Sequence, residues 1–439
     1  MFSRDLLGSR RGRLATFGIL YVSEGIPLGF AAVAMAAYMR RQGLDVGQIG
    51  AFVGSFYLPW AFKWAWAPLV DLVKLERFGG RKAWIALCQA LMIVTLFGIA
   101  QVDYTSKFKL LIALVLVHNF FSATQDIAID SLAINTLRPE ERATANGFMF
   151  GGAYIGQGLG GGGAMFVSGR FGFDVSFLYV SLLLTSIFTF VLLFVRDPSL
   201  SQRVAHRASD VWTALVENIR TFVRELVAGF FQSGVGPMVG VVFALLPAGA
   251  MALSAAISST MQVDLGMSDG QIAQLNIYQT ILSGVGCVVG GWAADHLGQR
   301  KMLAAWYLLT TLPTLYLATA LATGGGLGGI TIAQYFWASL VFSWCMGMHY
   351  GTSAALFMGL TNPLVAATQF TGYMALRNLT ISYTNMWQGV VADSQGYATV
   401  LYIDALLVAL PVLLLPLLKP STRAAQVPPS KGAPLPEAG

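Results

Sequence analysis

Apolar residues run along this chain in stretches of about 20 or more, the length an α-helix needs to cross the hydrocarbon core of a bilayer. Polar residues gather in short blocks between them. The pattern predicts twelve spans, approximately 14–39, 46–72, 84–102, 108–137, 142–168, 174–195, 236–262, 268–294, 301–322, 330–360, 363–393 and 397–418. A long connection, 197–235, separates the sixth from the seventh and carries a helix of its own over 209–228. There Trp212, Leu215, Val216, Ile219, Phe222, Val223 and Leu226 share one face, with Glu217, Arg220, Arg224 and Glu225 off it. Such a pattern fits a helix lying on a membrane surface, with docking of a partner as the other reading. The tail, 420–439, is rich in Pro, Ala and Ser and reads as disordered.

The pattern repeats. Gly43-Leu-Asp-Val-Gly-Gln-Ile49 returns as Gly266-Met-Ser-Asp-Gly-Gln-Ile272, 223 residues later, and each copy opens a span that ends in an aspartate, Asp71 or Asp295. Pro139 with Ala143-Thr144 returns as Pro363 with Ala367-Thr368, 224 residues later. Two matches at nearly one offset divide the chain into two six-helix halves, 1–196 and 236–419. An all-α integral membrane architecture of two parallel, pseudo-symmetric halves places a solute site between them near the midplane.

Composition removes the soluble alternative. The chain is 56% hydrophobic and 11% charged, where a soluble domain has about 25% charged residues. Of its 27 basic residues, 20 fall on the side that carries both termini and 5 on the other, with Lys63 and Arg377 inside spans. That asymmetry predicts cytoplasmic termini, and it assigns the net charge of +6 to loops, with no nucleic-acid partner. The basic start, through Arg13, leads into an apolar segment without a small-residue cleavage pattern, so it is expected to remain as the first span. Cys88, Cys287 and Cys345 sit in separate spans, and His118, His206, His296 and His349 are scattered. No metal site, cofactor or catalytic constellation is expected, and no phosphate-binding GxxxxGK(S/T) loop occurs. These absences argue against an enzyme and against direct drive by ATP.

Gly291-Trp-Ala-Ala-Asp295-His-Leu-Gly298-Gln-Arg300-Lys301 resembles the cytoplasmic GxxxDxxGR(K/R) signature of the major facilitator superfamily. The first-half copy departs from it, with Ala67 in place of the glycine and a longer turn running to Gly79-Gly-Arg81-Lys82. Asp71, Arg81, Asp295 and Arg300 are the expected cytoplasmic gate, because an aspartate at a helix end can cap or pair across such a turn. Tyr21-Val-Ser-Glu-Gly-Ile-Pro-Leu-Gly29, Lys63-Trp-Ala-Trp-Ala-Pro-Leu-Val-Asp71 and Gln125-Asp-Ile-Ala-Ile-Asp130 resemble the peptide–acetyl-CoA–drug branch, which includes the AmpG-type muropeptide permeases and the acetyl-CoA transporters. The specific match covers roughly the first third of the chain. The resemblance implies an inner-membrane permease, proton-driven, moving a bulky polar or anionic solute such as a muropeptide, and a monomer is expected. Glu24 departs from that branch, where an uncharged residue is expected before Gly25-Ile-Pro.

Charges inside spans are costly and mark function by default. Glu24 lies ~15 Å into the first span and Lys63 ~13 Å from the end of the second, at 1.5 Å per residue. Asp126 and Asp130 are an i, i+4 pair on one face of the fourth. In the fold that the resemblance implies, the first and fourth helices of each half line the cavity. Glu24, Asp126, Asp130 and Lys63 then form a candidate charge relay for protons. In the other reading, Lys63 neutralises Asp126 or Asp130 and holds the second and fourth spans together. Arg377, alone in the second half, is a candidate anchor for carboxylate or phosphate. Gln125, Tyr154, Gln157, Tyr373 and Asn378 are candidate solute contacts or ordinary interhelical bonds, and Gln369 is a further one. Trp337, Trp344, His349 and Tyr350 offer aromatic surface or core packing. The glycine run Gly151–Gly163 reads as close helix contact or as a flexible seam. Asp393 and Asp404, near span ends, are expected in solvent. Besides a muropeptide, an acetyl-CoA or other anionic, siderophore-like conjugate remains open, as does a transport-inactive sensor.

Overall fold

The computed structural model describes residues 6–73, 75, 78–138, 141–197, 208–247, 251–362 and 366–419, and all regular structure among them is helical. The first span is Arg10–Gly29, continuing through a π-helical segment, Phe30–Met35, to Ala36–Arg41. The second is Val46–Phe62, a 3-10 turn Lys63–Ala65 and a short helix Ala67–Leu72. The third, fourth and sixth are Arg81–Ala100, Phe108–Thr136 and Phe173–Phe194, and the fifth runs from Arg142–Gly158 through a second π-helical segment, Leu159–Gly163, to Ala164–Phe171. After the connection helix Ala208–Phe231, the seventh span is two pieces, Val235–Leu245 and Ala256–Asp264. The eighth, ninth and tenth are Asp269–Leu297, Gln299–Thr323 and Ile332–Leu360. The eleventh and twelfth share Ala366–Ala409, broken at Gly396, and the twelfth ends in Leu410–Leu417. Seven described stretches are long and apolar enough to cross a membrane unaided, the last of them, Thr368–Leu417, holding two spans.

The sequence repeat now has a physical content. Gly43 (φ 86°) and Gly266 (φ 77°) make the left-handed turns that start the second and eighth spans, a conformation glycine adopts without strain. Just beyond each turn, Gln48 Oε1 accepts the Asp45 N–H at 3.1 Å, and Gln271 Oε1 accepts the Ser268 N–H at 2.9 Å. These are capping boxes, each satisfying donors that a helix start leaves unbonded. Ile49 and Ile272, next in both copies, are fully buried.

Within the first half, spans one and five meet backbone to backbone. A Cβ placed on Gly156 would strike the carbonyl of Val22, and one on Gly160 the carbonyl of Ile26. The glycine run thus makes a tight contact inside the first half, and at Gly161 and Gly162 it also meets Ala273, Asn276 and Ile277 of the second half.

Call the side bearing both chain ends the terminal face, and its opposite the far face. At the far face the halves are clasped. Arg40 pairs with Asp264, Arg41 with Asp269, and Asp393 accepts the N–H groups of Val46 and Gly47 at 2.9 and 2.6 Å. Deeper in, Ser259 donates to the Ala32 carbonyl at 2.7 Å, Ser382 to that of Gly54 at 2.7 Å, and Gly162 N–H to Asn276 Oδ1 at 2.8 Å. Towards the terminal face, Tyr154 Oη still meets Cys287 Sγ across the halves at 3.6 Å, and beyond it the connection helix bridges them. Its Phe222 ring stacks on Trp64 at 5.5 Å, and Thr368 Oγ1 donates to its Glu225 at 2.9 Å. Leu226 and Phe230 pack against Gly372, while Val216, Val223, Val227 and Phe231 stay exposed. The helix therefore rests on protein along one side and leaves apolar side chains exposed on another.

Candidate functional site

Spans one, two and four bring four ionisable groups together. Proline makes the geometry possible. Pro59 removes one backbone hydrogen bond, Pro68 opens the next helix, and between them the second span loosens into the 3-10 turn that carries Lys63. Lys63 Nζ is ion-paired with Asp126 and stands 5.1 Å from the Trp60 ring centroid. Asp126 is 3% exposed. One turn further along span four, Asp130 Oδ1 accepts the Tyr21 hydroxyl at 2.6 Å. Glu24 is 8% exposed, and its Oε1 has no hydrogen-bond partner. Asp126, Asp130 and Lys63 all lie within electrostatic reach of Glu24. Three carboxyl groups thus share one lysine. Burying the surplus negative charge is prohibitive unless protons or a cation join it. Gln125 is buried beside the cluster and donates to Ser23 Oγ at 2.8 Å.

Tyr21 and Ser23 are members of the site that sequence reasoning missed. Their signal was available, since both flank Glu24 within one turn of the first span and their partners form the Gln125–Asp130 stretch.

On the second half, Arg377 is 9% exposed, with its guanidinium 4.7 Å from the Tyr350 ring centroid and 5.8 Å from that of Phe357. No ion pair joins it to a carboxylate among the described residues. Aromatic faces stabilise a guanidinium while leaving its in-plane N–H fork available. Tyr154, on span five, lies within electrostatic reach of Arg377 and Tyr350, and its hydroxyl meets Cys287 Sγ at 3.6 Å. Tyr154 and Gln157 also line a cavity of about 120 Å³ between the halves, together with Gln262, Asn276, Gln279 and Thr280. Among the described residues, its lining carries no ionisable group other than tyrosine.

Other expected contacts fall elsewhere. Tyr373 is fully buried in the second half, packed between Phe230 and Phe357, with its hydroxyl donating to the Pro237 carbonyl at 2.8 Å. Gln369 Nε2 is bonded to the Gly229 carbonyl at 2.9 Å. Asn378 is half-buried next to Arg377. His349 is buried against Tyr307, and Trp337 is exposed. Asp393 is exposed but capped into the clasp, and Asp404 corrects the expectation of a solvated acid, at 1% exposed. Burial there follows from a break in span seven that Asp404 fills.

At the terminal face, Arg81 Nε donates to Ser131 Oγ at 2.6 Å, and its backbone N–H donates to Asp197 at 2.8 Å. Arg300 is half-buried just after the Gly298 turn. The side chains of Asp71 and Asp295 lie outside the described set.

Residues 17–250 match the family model of the Major Facilitator Superfamily, more than half of the chain. The chain belongs to the Major Facilitator Superfamily. Two relatives match over most of their length. One is the anhydromuropeptide permease of Escherichia coli K12, 26% identical over 424 residues, covering 94% of this chain and 81% of that protein. The other is a Rickettsia felis protein bearing the name putative transporter AmpG 4, 26% identical over 425 residues and covering 91% and 95%. Among solved structures, the D-xylose-proton symporter superposes with a TM-score of 0.69 at 14% identity, covering 94% of this chain and 98% of that one. The last comparison speaks to the fold, and the fold is that of this superfamily of membrane transporters.

Proposed function

We propose that the chain is a secondary permease working by alternating access and importing a bulky polar, anionic solute of the muropeptide type, with protons as the coupling ion. The observation that carries the reading is the pairing of two unbalanced sites. One is the buried set of Glu24, Asp126 and Asp130 around a single Lys63; the other is Arg377, which has no carboxylate of its own among the described residues. The relatives named above support the substrate class. The 20-to-5 bias of basic residues supports a bacterial inner membrane with the terminal face in the cytoplasm.

In this reading the structure stands closed to the outside and open inward. Arg377 takes a carboxylate of the solute, and Tyr154, Gln157 and Asn378 supply hydrogen bonds to its neutral part. Gln125 orients span one against span four. Protons neutralise the surplus carboxyls of the Glu24 cluster, so that the first half can close around the loaded site without burying bare charge. Asp71, Arg81, Asp295 and Arg300 serve the cytoplasmic gate. A coenzyme A conjugate fits less well, because its several phosphates call for more cations than Arg377 alone.

Uptake of radiolabelled anhydromuropeptide and of acetyl-CoA into right-side-out and inverted vesicles, with and without a protonophore, tests the proposal. Accumulation of the muropeptide that collapses with the protonophore is expected. Its absence in both orientations overturns the substrate, and binding without accumulation would make the chain a sensor. Gradient-sensitive uptake left intact by Glu24→Gln and Asp126→Asn overturns the coupling assignment.

A further inference from the structure

Span seven is interrupted, and spans eleven and twelve build its repair. The first piece ends at Leu245, and its last carbonyls are met from span eleven: Thr380 Oγ1 donates to Ala244 at 2.9 Å, and Tyr383 Oη donates to Leu245. The second piece starts at Ala256, whose N–H donates to Asn385 Oδ1 at 2.9 Å. Between them, the N–H of Ala252, which opens the 3-10 turn Ala252–Ser254, donates to Asp404 Oδ1 at 3.0 Å. Gln388 Nε2 donates to the same oxygen, also at 3.0 Å. Unpaired backbone groups are not tolerated at membrane depth, and three of these partners are neutral. The fourth is an acid.

Asp404 differs from every acid in the Glu24 cluster. It is 1% exposed, its Oδ2 is buried with no partner, and no charged side chain lies within its electrostatic reach among the described residues. The groups facing it are the Ala252 peptide from span seven and the Gln388 amide from span eleven, both neutral donors and both on Oδ1. An ionised carboxylate here would have two lone-pair sites satisfied on one oxygen, none on the other, and no counter-ion, an arrangement that the general penalty for buried unpaired charge disfavours strongly. As a carboxylic acid the same group fits: Oδ1 is the carbonyl that accepts both donors, and the proton sits on Oδ2.

We infer that Asp404 is a second proton-binding site, filled in the state closed at the far face, and that its proton determines which geometry the break in span seven adopts. Loss of the proton leaves a carboxylate that must recruit water or further N–H donors. The peptide group already bound to it opens the turn Ala252–Ser254, so deprotonation favours rearrangement of that turn. The inference rests on the break and its partners, and it holds for any solute.

Infrared difference spectroscopy on the full-length protein in liposomes reads it directly. Wild type is expected to show a protonated-carboxyl C=O band, shifted in D₂O, that is missing from Asp404→Asn. Gln388→Ala removes one hydrogen bond from the carbonyl oxygen and is expected to move the same band to higher frequency. Bands belonging to the other cluster are removed by Glu24→Gln or Asp126→Asn and stay in place in both variants. Spectra of Asp404→Asn that superimpose on wild type overturn the inference. Should that variant not fold, Gln388→Ala decides alone, and an unmoved carboxyl region overturns the inference equally.

Discussion

Arg40 grips Asp264 across the far face through two parallel hydrogen bonds of 2.7 and 2.8 Å, and by the 223-residue offset of the two turn copies Asp264 is the counterpart of Arg41, the next residue along. Residues one step from equivalence in a two-fold pair meet only near its axis, so this contact lies close to the pseudo-symmetry axis. Asp264 also accepts the Tyr397 hydroxyl at 2.6 Å.

Arg40→Gln is expected to loosen that clasp. The pair is partly exposed, so its loss is worth about 1 kcal/mol, roughly a fivefold shift towards the outward-open state. In a background lacking Cys88, Cys287 and Cys345, a Ser259→Cys variant reports the change as faster alkylation. The charge swap Arg40→Asp with Asp264→Arg should restore the slow rate. Equal alkylation rates with and without Arg40→Gln would show that the clasp does not hold the state.

Lys63→Met leaves Asp126 buried and unpaired. Breaking such a pair costs about 3–5 kcal/mol, and the partial exposure of Lys63 puts the expected loss at the lower end. Thermal unfolding of purified protein should show a clear drop for Lys63→Met and recovery in Lys63→Met/Asp126→Asn. Uptake should stay low in both. A single variant as stable as wild type contradicts the buried-pair geometry.

Gly160→Val should not assemble properly, because its side chain would occupy the space of the Ile26 carbonyl. Overpacking costs about 1–3 kcal/mol where neighbours can yield, and a helix backbone yields little. Gly98→Ala is the matched control: nothing lies within 4 Å of the place its methyl group would take, and helix propensity favours alanine by up to about 1 kcal/mol. Monodisperse yield after purification separates the two, and equal yields would mean that spans one and five can part.

Arg13 donates to Glu141 at 2.6 and 2.8 Å, tying the start of span one to the loop before span five. Those bonds lower the Glu141 pKa below its ordinary value. A carboxylate depressed on folding adds stability above its unfolded pKa, about 4.3, and loses it as pH falls through the folded value. Acidification below about pH 5 should therefore cost wild type more stability than Glu141→Gln. Parallel melting curves for the two between about pH 6 and acid would refute the assignment.

Much of this was legible in the sequence for plain reasons. The Gly43 and Gly266 copies repeat because one capped turn is used twice, and a lone lysine in an apolar span must find an acid, which Asp126 supplies. The clasp was harder to see. Arg40 and Arg41 look like ordinary flanking charges until the 223-residue offset is applied to Arg41, whereupon Asp264 appears in its place in the other half. The break in span seven has a local mark, Pro247 followed by Gly249, which an unbroken span over 236–262 passes over, and Asp404 owes its burial to that break. Tyr373 shows another limit: helical spacing cannot say whether a tyrosine faces a cavity or the half behind it.

Gly396, with φ 81°, is the whole connection between spans eleven and twelve. Asp393, which caps span two, and Asp404, which fills the break in span seven, therefore hang from opposite sides of a single turn. A rotation of that hairpin pulls on the second span of one half and the seventh of the other together. The far-face clasp and the buried acid are in this sense one moving part, and a proton on Asp404 has a mechanical route to the surface that needs no chain of relaying side chains.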